Sequence, residues 1–580
     1  MLNWSPPQAD ALVASDSFLL LGTAGSGKTT TLLEKARRLC AANHPVALAT
    51  FAFRVLEHLK QQGQPQLTPY VASGQLRVGT LYELSLQALQ QSGVALTFAS
   101  NNQVRQLLRQ LMAEHGFMGS LEDAEHIIRT AKGKAKKLPE SDKFYPFVMA
   151  YKAKLEGLGL SDRHDLIRRH VLGMKDGSVK PLPVEWLLLD GLQDATELQL
   201  IWLQMHLANG VKLGLTADDD VTAFGRDGAL GPATIQGVQG WGEGAALETI
   251  TLPATHRTPP ALMIQLNRQA RLLRVRIAKP ESSVAAAASS PLLPPLSQRG
   301  FPHLPALHAE VLTLAQAHRA AGLRLGCITY DDFSAATLTH VLQKGGVNPA
   351  SFARLIWEEP TPQVVLASLH ILLGQAMPGH LTLLWLGLGL PANVVLHAQI
   401  TGALQQPDWL TQGAALPLPE GVSPTVQSLS QQIRFALRSA YTLWANRTLP
   451  PPAVFKSLWA ELLPLLPAPE QPQALLALDM LLSLSGKLAD VLPRVLTETL
   501  PDMHSLITVG PVREMRNHQF DAVVLVNTGE GRWPPTPTAT LGADHDHERR
   551  LWLLACSRTK GPLLLAHLGE PCALARELTK

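Results

Sequence analysis

The residues with the clearest chemical purpose stand close to the start of the chain. Gly22-Thr23-Ala24-Gly25-Ser26-Gly27-Lys28-Thr29 follows the spacing G-x-x-x-x-G-K-S/T, the phosphate-loop pattern. Gly22, Gly25 and Gly27, with Ser26 among them, let backbone N–H groups close around a triphosphate. Lys28 supplies a point charge for the β and γ phosphates, and the Thr29 hydroxyl can complete a Mg²⁺ shell. A helix-like segment begins at Thr30 and runs to residue 40, and its N-terminal dipole favours an anion. A nucleotide site is the first expectation.

Two further stretches point to the same place. Trp186-Leu187-Leu188-Leu189-Asp190 reads as an apolar strand ending in a carboxylate. An Asp in that position holds Mg²⁺ through its water shell in phosphate-loop ATPases. Trp4-Ser5-Pro6-Pro7-Gln8 sets an amide just ahead of the loop, where Gln8 could read a purine edge. The amide alone carries no meaning; its placement gives it weight.

Strands must carry these groups. Apolar runs recur beside helical segments at Phe18–Leu21, Val46–Thr50, Trp186–Leu189 and residues 211–215. A second set follows at residues 325–330, Ala522–Val526 and residues 563–566. The alternation predicts an α/β protein with parallel sheets flanked by helices. Residues 279–300, rich in Pro, Ala and Ser, read as the linker between two such units. Each unit is interrupted by a mainly helical segment. The expected first core is 1–95 and 172–278, with 96–171 inserted. The second core is 301–374 and 503–580, with 375–502 inserted.

With 580 residues, several domains are required. Charged residues at 17% and hydrophobic ones at 46% exclude long disorder as the dominant state. A net charge of +3 argues for no partner, so any nucleic-acid surface must be local. One local candidate is Lys132, Lys134, Lys136 and Lys137; it suits a phosphodiester backbone and a solvated helix end equally. Cys40, Cys327, Cys556 and Cys572 form no C-x-x-C pair and read as reduced core thiols of a cytoplasmic protein. The first residues show no signal segment. The most apolar tract, 381–390, stops at Pro391 and is short for a bilayer span, so no membrane partner is expected.

After Asp190 the chain continues Gly191-Leu192-Gln193-Asp194, which resembles the D-E-x-Q-D motif of superfamily 1 helicases of the UvrD/Rep type. The resemblance extends along nearly the whole chain. Ala49-Thr50-Phe51 and Val78-Gly79-Thr80-Leu81-Tyr82 are similar to that family's single-strand-binding motifs. Ala217-Asp218-Asp219-Asp220 resembles its third motif, and Leu252 with His256-Arg257-Thr258 resembles L-x-x-N-Y-R-S. Gln519-Phe520-Asp521-Ala522-Val523 looks like E-F-D-x-V; Glu548-Arg549-Arg550-Leu551 through Ala555-Cys556-Ser557-Arg558 looks like the sixth motif.

The resemblance implies two RecA-like cores with ATP and Mg²⁺ between them, and 3′-to-5′ movement on single-stranded DNA. It assigns Lys28, Thr29 and Asp190 to MgATP, and Arg257 and Arg558 to the charge that develops on the γ-phosphate. Gln8, Gly22, Gly25, Ser26, Gly27, Thr30, Gln193 and Gln519 would complete the nucleotide contacts. Thr50, Phe51, Tyr82, Phe224 and Arg226 would meet DNA, although Phe51 and Tyr82 read equally well as core residues.

The departures fall on the chemistry. Gly191 stands where the family has its catalytic Glu, and glycine cannot position water. Val221 replaces the γ-phosphate-sensing Gln and can neither donate nor accept. Gln519 replaces a Glu, Arg516-Asn517 a Lys-Gly pair, and Asp331 an arginine near the expected cleft. Arg226 takes the place of one of two base-stacking aromatics; such stacking contributes about 1–3 kcal/mol per base. Two expectations follow. One is a UvrD/Rep-like DNA helicase or translocase with slow hydrolysis. The other is a pseudo-helicase that binds ATP as a switch, together with DNA or a protein partner in a repair or recombination complex.

Overall fold

The computed structural model describes residues 4–51, 56, 66–117, 119–241, 247–285, 292–402, 418–484, 503–516, 518–535 and 544–579. The protein is α/β and is built on two parallel six-stranded sheets. The first contains Phe18–Leu21 (β1), Val46–Thr50 (β2), Leu76–Thr80 (β3), Trp186–Leu189 (β4), Lys212–Ala217 (β5) and Glu248–Thr251 (β6). Their order is β3-β2-β4-β5-β1-β6, so β5 separates β1 from β4. Leu21 lies beside Ala217 on one side and Thr251 on the other.

The apolar runs are continuous because both faces of the sheet are covered. Leu19 and Leu21 pack with Trp202 and Leu203 on one face; Phe18 and Leu20 pack with Leu32 and Ala36 on the other. Because all pairs are parallel, the strand ends that carry Gly22, Asp190 and Asp218 emerge at one edge. Ligands of open parallel sheets bind along that edge.

Ala254–Thr255 (β7) pairs with Ser282–Ser283 (β8) outside both sheets. The second sheet contains Leu296–Phe301 (β9), Leu325–Thr329 (β10), Ala350–Ser351 (β11), Ile507–Pro511 (β12), Ala522–Val526 (β13) and Leu563–Leu568 (β14), in the order β11-β12-β10-β13-β14-β9. The stretch expected as a linker, 279–300, therefore begins structured and ends structured. The Lys279 side chain is buried, β8 follows it, and β9 pairs in full register with β14. An edge strand needs only backbone pairing on one side, so Pro-, Ala- and Ser-rich composition does not reveal it. Residues 286–291 lie outside the described residues.

The chain divides into two compact units. One comprises Met1–Ala335, Val347–Ala353 and Met503–Lys580 and holds both sheets. Within it, the helices Asn101–Glu114, Leu121–Gly133 and Tyr145–Gly157 form a small core of their own around Leu108, Leu111, Phe147 and Tyr151. The other unit comprises Ala336–Gly346 and Arg354–Asp502; its described residues are helical, around Trp385, Phe455 and Trp459. It begins earlier than the expected 375–502. The helix Pro360–Leu372 buries Val364, Val365, Leu369 and Ile371 in this helical core, not against a sheet. Among the described residues no helix is long and apolar enough to cross a membrane.

Candidate nucleotide-binding site

The loop after β1 is held open by backbone conformation. Gly25 and Gly27 have φ of +83° and +92°, a region that glycine enters without steric penalty. A β-carbon on Gly25 would lie 2.6 Å from Arg257 Cβ, so the loop and the segment after β6 touch. His256 N donates to Gly25 O at 2.9 Å, and Thr255 Oγ1 donates to Ala24 O at 2.8 Å. Gly27 caps the helix Lys28–Ala41, which directs the helix N-terminus at the loop.

Lys28 Nζ donates to Gly22 O at 2.7 Å and Thr23 O at 2.8 Å, and stands 3.6 Å from Asp218. Burial lowers its pKa, against the pull of Asp218. Thr29 Oγ1 donates to the Asp190 carboxylate at 3.1 and 3.2 Å, and Thr216 Oγ1 donates to Asp190 Oδ1 at 2.8 Å. Gly191 N in turn donates to Thr216 Oγ1 at 2.9 Å. A hydroxyl and a carboxylate at this distance are the two protein groups a nucleotide-bound Mg²⁺ needs, since phosphate and water supply its remaining oxygens. Among the described residues no cluster of three His, Cys, Asp or Glu side chains could hold a metal by itself.

These groups line a cavity of about 430 Å³ to which both sheets contribute. Gln8, Gly25, Gly27, Lys28, Thr29, Thr30, Asp190, Gln193 and Arg257 face it from the first sheet's side; Gln519 and Arg558 face it from the second's. Gly22 and Ser26 lie behind it. The Gly22 carbonyl anchors Lys28, and the buried Ser26 hydroxyl has no hydrogen-bond partner among the described residues. Gln8 Oε1 accepts from Ser5 N at 3.0 Å, which leaves its Nε2 toward Gly27. Gln193 Oε1 accepts from Asp218 N at 3.0 Å and so ties the second motif to the third.

The arginines are buried. Arg257 is pushed down to about 10 by burial, and its Nε has no hydrogen-bond partner among the described residues. Arg558 is held by Leu554 O at 3.0 Å, Ser557 Oγ at 2.8 Å and Arg516 O at 3.2 Å. Burial and then the neighbouring Arg257 drive its pKa well below the usual arginine value. Buried cations with depressed pKa values, converging on a cavity, are what an anionic ligand would relieve.

Gly191 differs from a simple deletion of a side chain. It has φ of +87°, and a β-carbon there would lie 1.8 Å from Arg516 Nη2. Arg516 Nη1 is 2.5 Å from Asp194 Oδ2, and the guanidinium lies 5.9 Å from the Phe224 ring centre. The Asp194 carboxyl is pushed up by burial and opposed by Arg516 and by the N–H groups of Ala223 and Phe224. Asp219 and Asp220 are engaged as well: Lys279 pairs with Asp218, Asp219 and Asp220, and Arg276 pairs with Asp220 at 2.8 Å. Asp331, expected to reverse a charge near the cleft, does not line the cavity. It caps its own helix, accepting from Ser334 N at 2.7 Å and Ser334 Oγ at 3.0 Å.

The residues expected to meet DNA do not line this cavity. Thr50 is fully buried at the end of β2, and Phe51 lies in the first sheet's core. Tyr82 Oη hydrogen-bonds His164 Nδ1 at 3.0 Å. Phe224 faces Arg516, and Arg226 donates to Glu548 Oε1 at 2.5 Å, beside a Tyr330 hydroxyl that donates to the same oxygen at 2.9 Å. The basic cluster divides. Lys132 pairs with Asp162 and Asp165, whereas Lys134, Lys136 and Lys137 are exposed.

No protein-family model matches the sequence, and no curated protein matches it. Trp4, Ala24, Thr216, His256 and Leu554 line the cavity without a role assigned from sequence, and Arg516, which the sequence places only opposite the family's Lys-Gly pair, lines it too. Trp4 and His256 were visible beside Gln8 and Arg257. Thr216 and Arg516 gain meaning only from the fold, one by strand adjacency and the other by reaching from the second sheet to the first.

Proposed function

We propose that this is a UvrD/Rep-like protein of two RecA-like cores that takes MgATP between them and uses it as a structural ligand or switch, with little turnover. Lys28, the loop N–H groups and the helix N-terminus would hold the β and γ phosphates, and Arg257 and Arg558 would neutralise the terminal one. Thr29 and Asp190 would hold Mg²⁺, which supplies charge neutralisation of the phosphates when bound. Gln8 would meet the base. The order of strands, with β5 between the loop strand and the Asp190 strand, suits that architecture.

The observation that carries the reading is the guanidinium of Arg516 against Gly191. A water-activating carboxylate there would have to displace that guanidinium and sit at positive φ, and Asp194, Asp219 and Asp220 are all committed to cations. Without a positioned base, hydrolysis loses on the order of 10²–10⁴-fold in rate. Arg226 paired with Glu548, and Phe224 beside Arg516, weaken the case for a base-stacking track. A second reading, a slow single-stranded DNA translocase, draws on Asp218: it lines the cavity, and its Oδ2 has no hydrogen-bond partner among the described residues.

The test is a steady-state ATPase assay with and without single-stranded DNA, paired with fluorescent-nucleotide titration. The proposal expects nucleotide binding that is lost in Lys28→Ala and turnover no faster than in that variant. DNA-stimulated turnover that disappears in Arg558→Ala would establish the translocase instead.

A further inference from the structure

The cavity holds one cation whose counter-ion lies outside it. Arg516 is only 4% exposed, and its partner Asp194 stands behind it at 2.5 Å, away from the cavity lining. Resting on the reading that the cavity takes MgATP, we infer that Arg516 joins Arg257 and Arg558 at the terminal phosphate and sharpens this site's selection of nucleoside triphosphates over diphosphates. Its guanidinium stands where a side chain of residue 191 would project, which only a glycine at φ +87° permits. Its Nη1 makes no aligned hydrogen bond among the described residues, although it is close to Asp194. Arg516 lines the cavity, and a planar fork of five donors can take a phosphate oxygen on another N–H while Nη1 keeps its carboxylate.

The surroundings fix this geometry. Asp194 Oδ1 is pinned by Ala223 N at 2.8 Å and Phe224 N at 3.3 Å, so the carboxylate is a fixed post. The Arg516 carbonyl accepts from Arg558 Nη1 at 3.2 Å, so the two arginines are set as a pair. Val221, which lines the cavity at the position where an amide would sense the γ-phosphate, has no polar atom. The loop N–H groups, and Lys28 through the β phosphate, meet groups that a diphosphate also possesses. A diphosphate ends one group short and leaves Arg516 with Asp194 alone.

The experiment titrates the full chain, with Mg²⁺, against ADP and a non-hydrolysable ATP analogue. Wild type is expected to prefer the triphosphate by about tenfold or more, the size of one charge-assisted contact. Arg516→Met should cut that ratio by about threefold or more while ADP affinity stays within about twofold, and Arg516→Lys should lose less of the preference. Because Arg516→Met strands a buried carboxylate, Arg516→Met with Asp194→Asn is the second variant, with the same expected ratio. An unchanged ratio in whichever of these variants folds, or a wild type without preference, overturns the inference. Failure of the wild type to bind either nucleotide, or equal binding by Lys28→Ala, sinks the nucleotide reading itself.

Discussion

The wall of the cavity built on the first sheet and the wall built on the second face one another with different chemistry. On the first, position comes from the main chain. Two left-handed glycines, a helix N-terminus and three parallel strand ends deliver Lys28, Thr29 and Asp190 to one edge. On the second, position comes from long side chains. Arg516 and Arg558 reach inward from short loops and helix ends and are held by a carboxylate, carbonyls and a hydroxyl. On the proposed reading, the contrast would separate binding from turnover. Gripping a phosphate needs mostly backbone, whereas placing a water needs one particular side chain.

The strongest way to break the comparison is to remove the first wall's charge. Lys28→Ala should weaken triphosphate binding by about a hundredfold, read by fluorescent-nucleotide titration. Retained affinity would mean the second wall does the holding.

Gly191→Glu comes next. It should yield no gain in ATPase rate and should lower the melting temperature by roughly 1–4 °C, because it places a side chain at positive φ against Arg516. Turnover that appears in Gly191→Glu alone would show that the second wall yields easily. Turnover that appears only together with Arg516→Ala would locate the obstacle at that guanidinium.

The first wall's supports also carry a pH signature. Burial pushes His164 down to about 3, and His170 and His206 down to about 4. Their neutral forms belong to the fold, so their contribution is complete above the unfolded value of about 6.5 and is lost as pH falls toward 4. Thermal melts by circular dichroism should therefore show falling stability between about pH 6.5 and 4, and His170→Asn should flatten that slope. The smallest effect concerns the exposed lysines. Replacing Lys134, Lys136 and Lys137 with Ala should leave nucleotide affinity within about twofold and, if DNA binds there, reduce the salt slope of that binding by up to about 3.

Much of the first wall was legible because it depends on local sequence. Phe18–Leu21 and Trp186–Leu189 are apolar on both faces and end in the groups that matter. Strands with mixed composition were not read. Leu76–Thr80 contains an arginine and a glycine, and the edge strand Leu296–Phe301 has half-exposed side chains, so neither presents an apolar run. The helical unit starts before residue 375 because Pro360–Leu372 is apolar around its circumference and finds helices to bury against. The Arg516–Gly191 contact was out of reach for a different reason. Its partners are more than 300 residues apart, and neither residue type announces the other.

Asp218 stands 3.6 Å from Lys28 and 3.2 Å from Lys279, the cation at the head of the segment that leads from one sheet to the next. One acid thus serves two basic groups, only one of which a phosphate can reach. On the proposed nucleotide reading, an anion that drew Lys28 toward itself would leave more of that negative charge to Lys279, and so would couple the filling of the cavity to the anchoring of residue 279 without touching it.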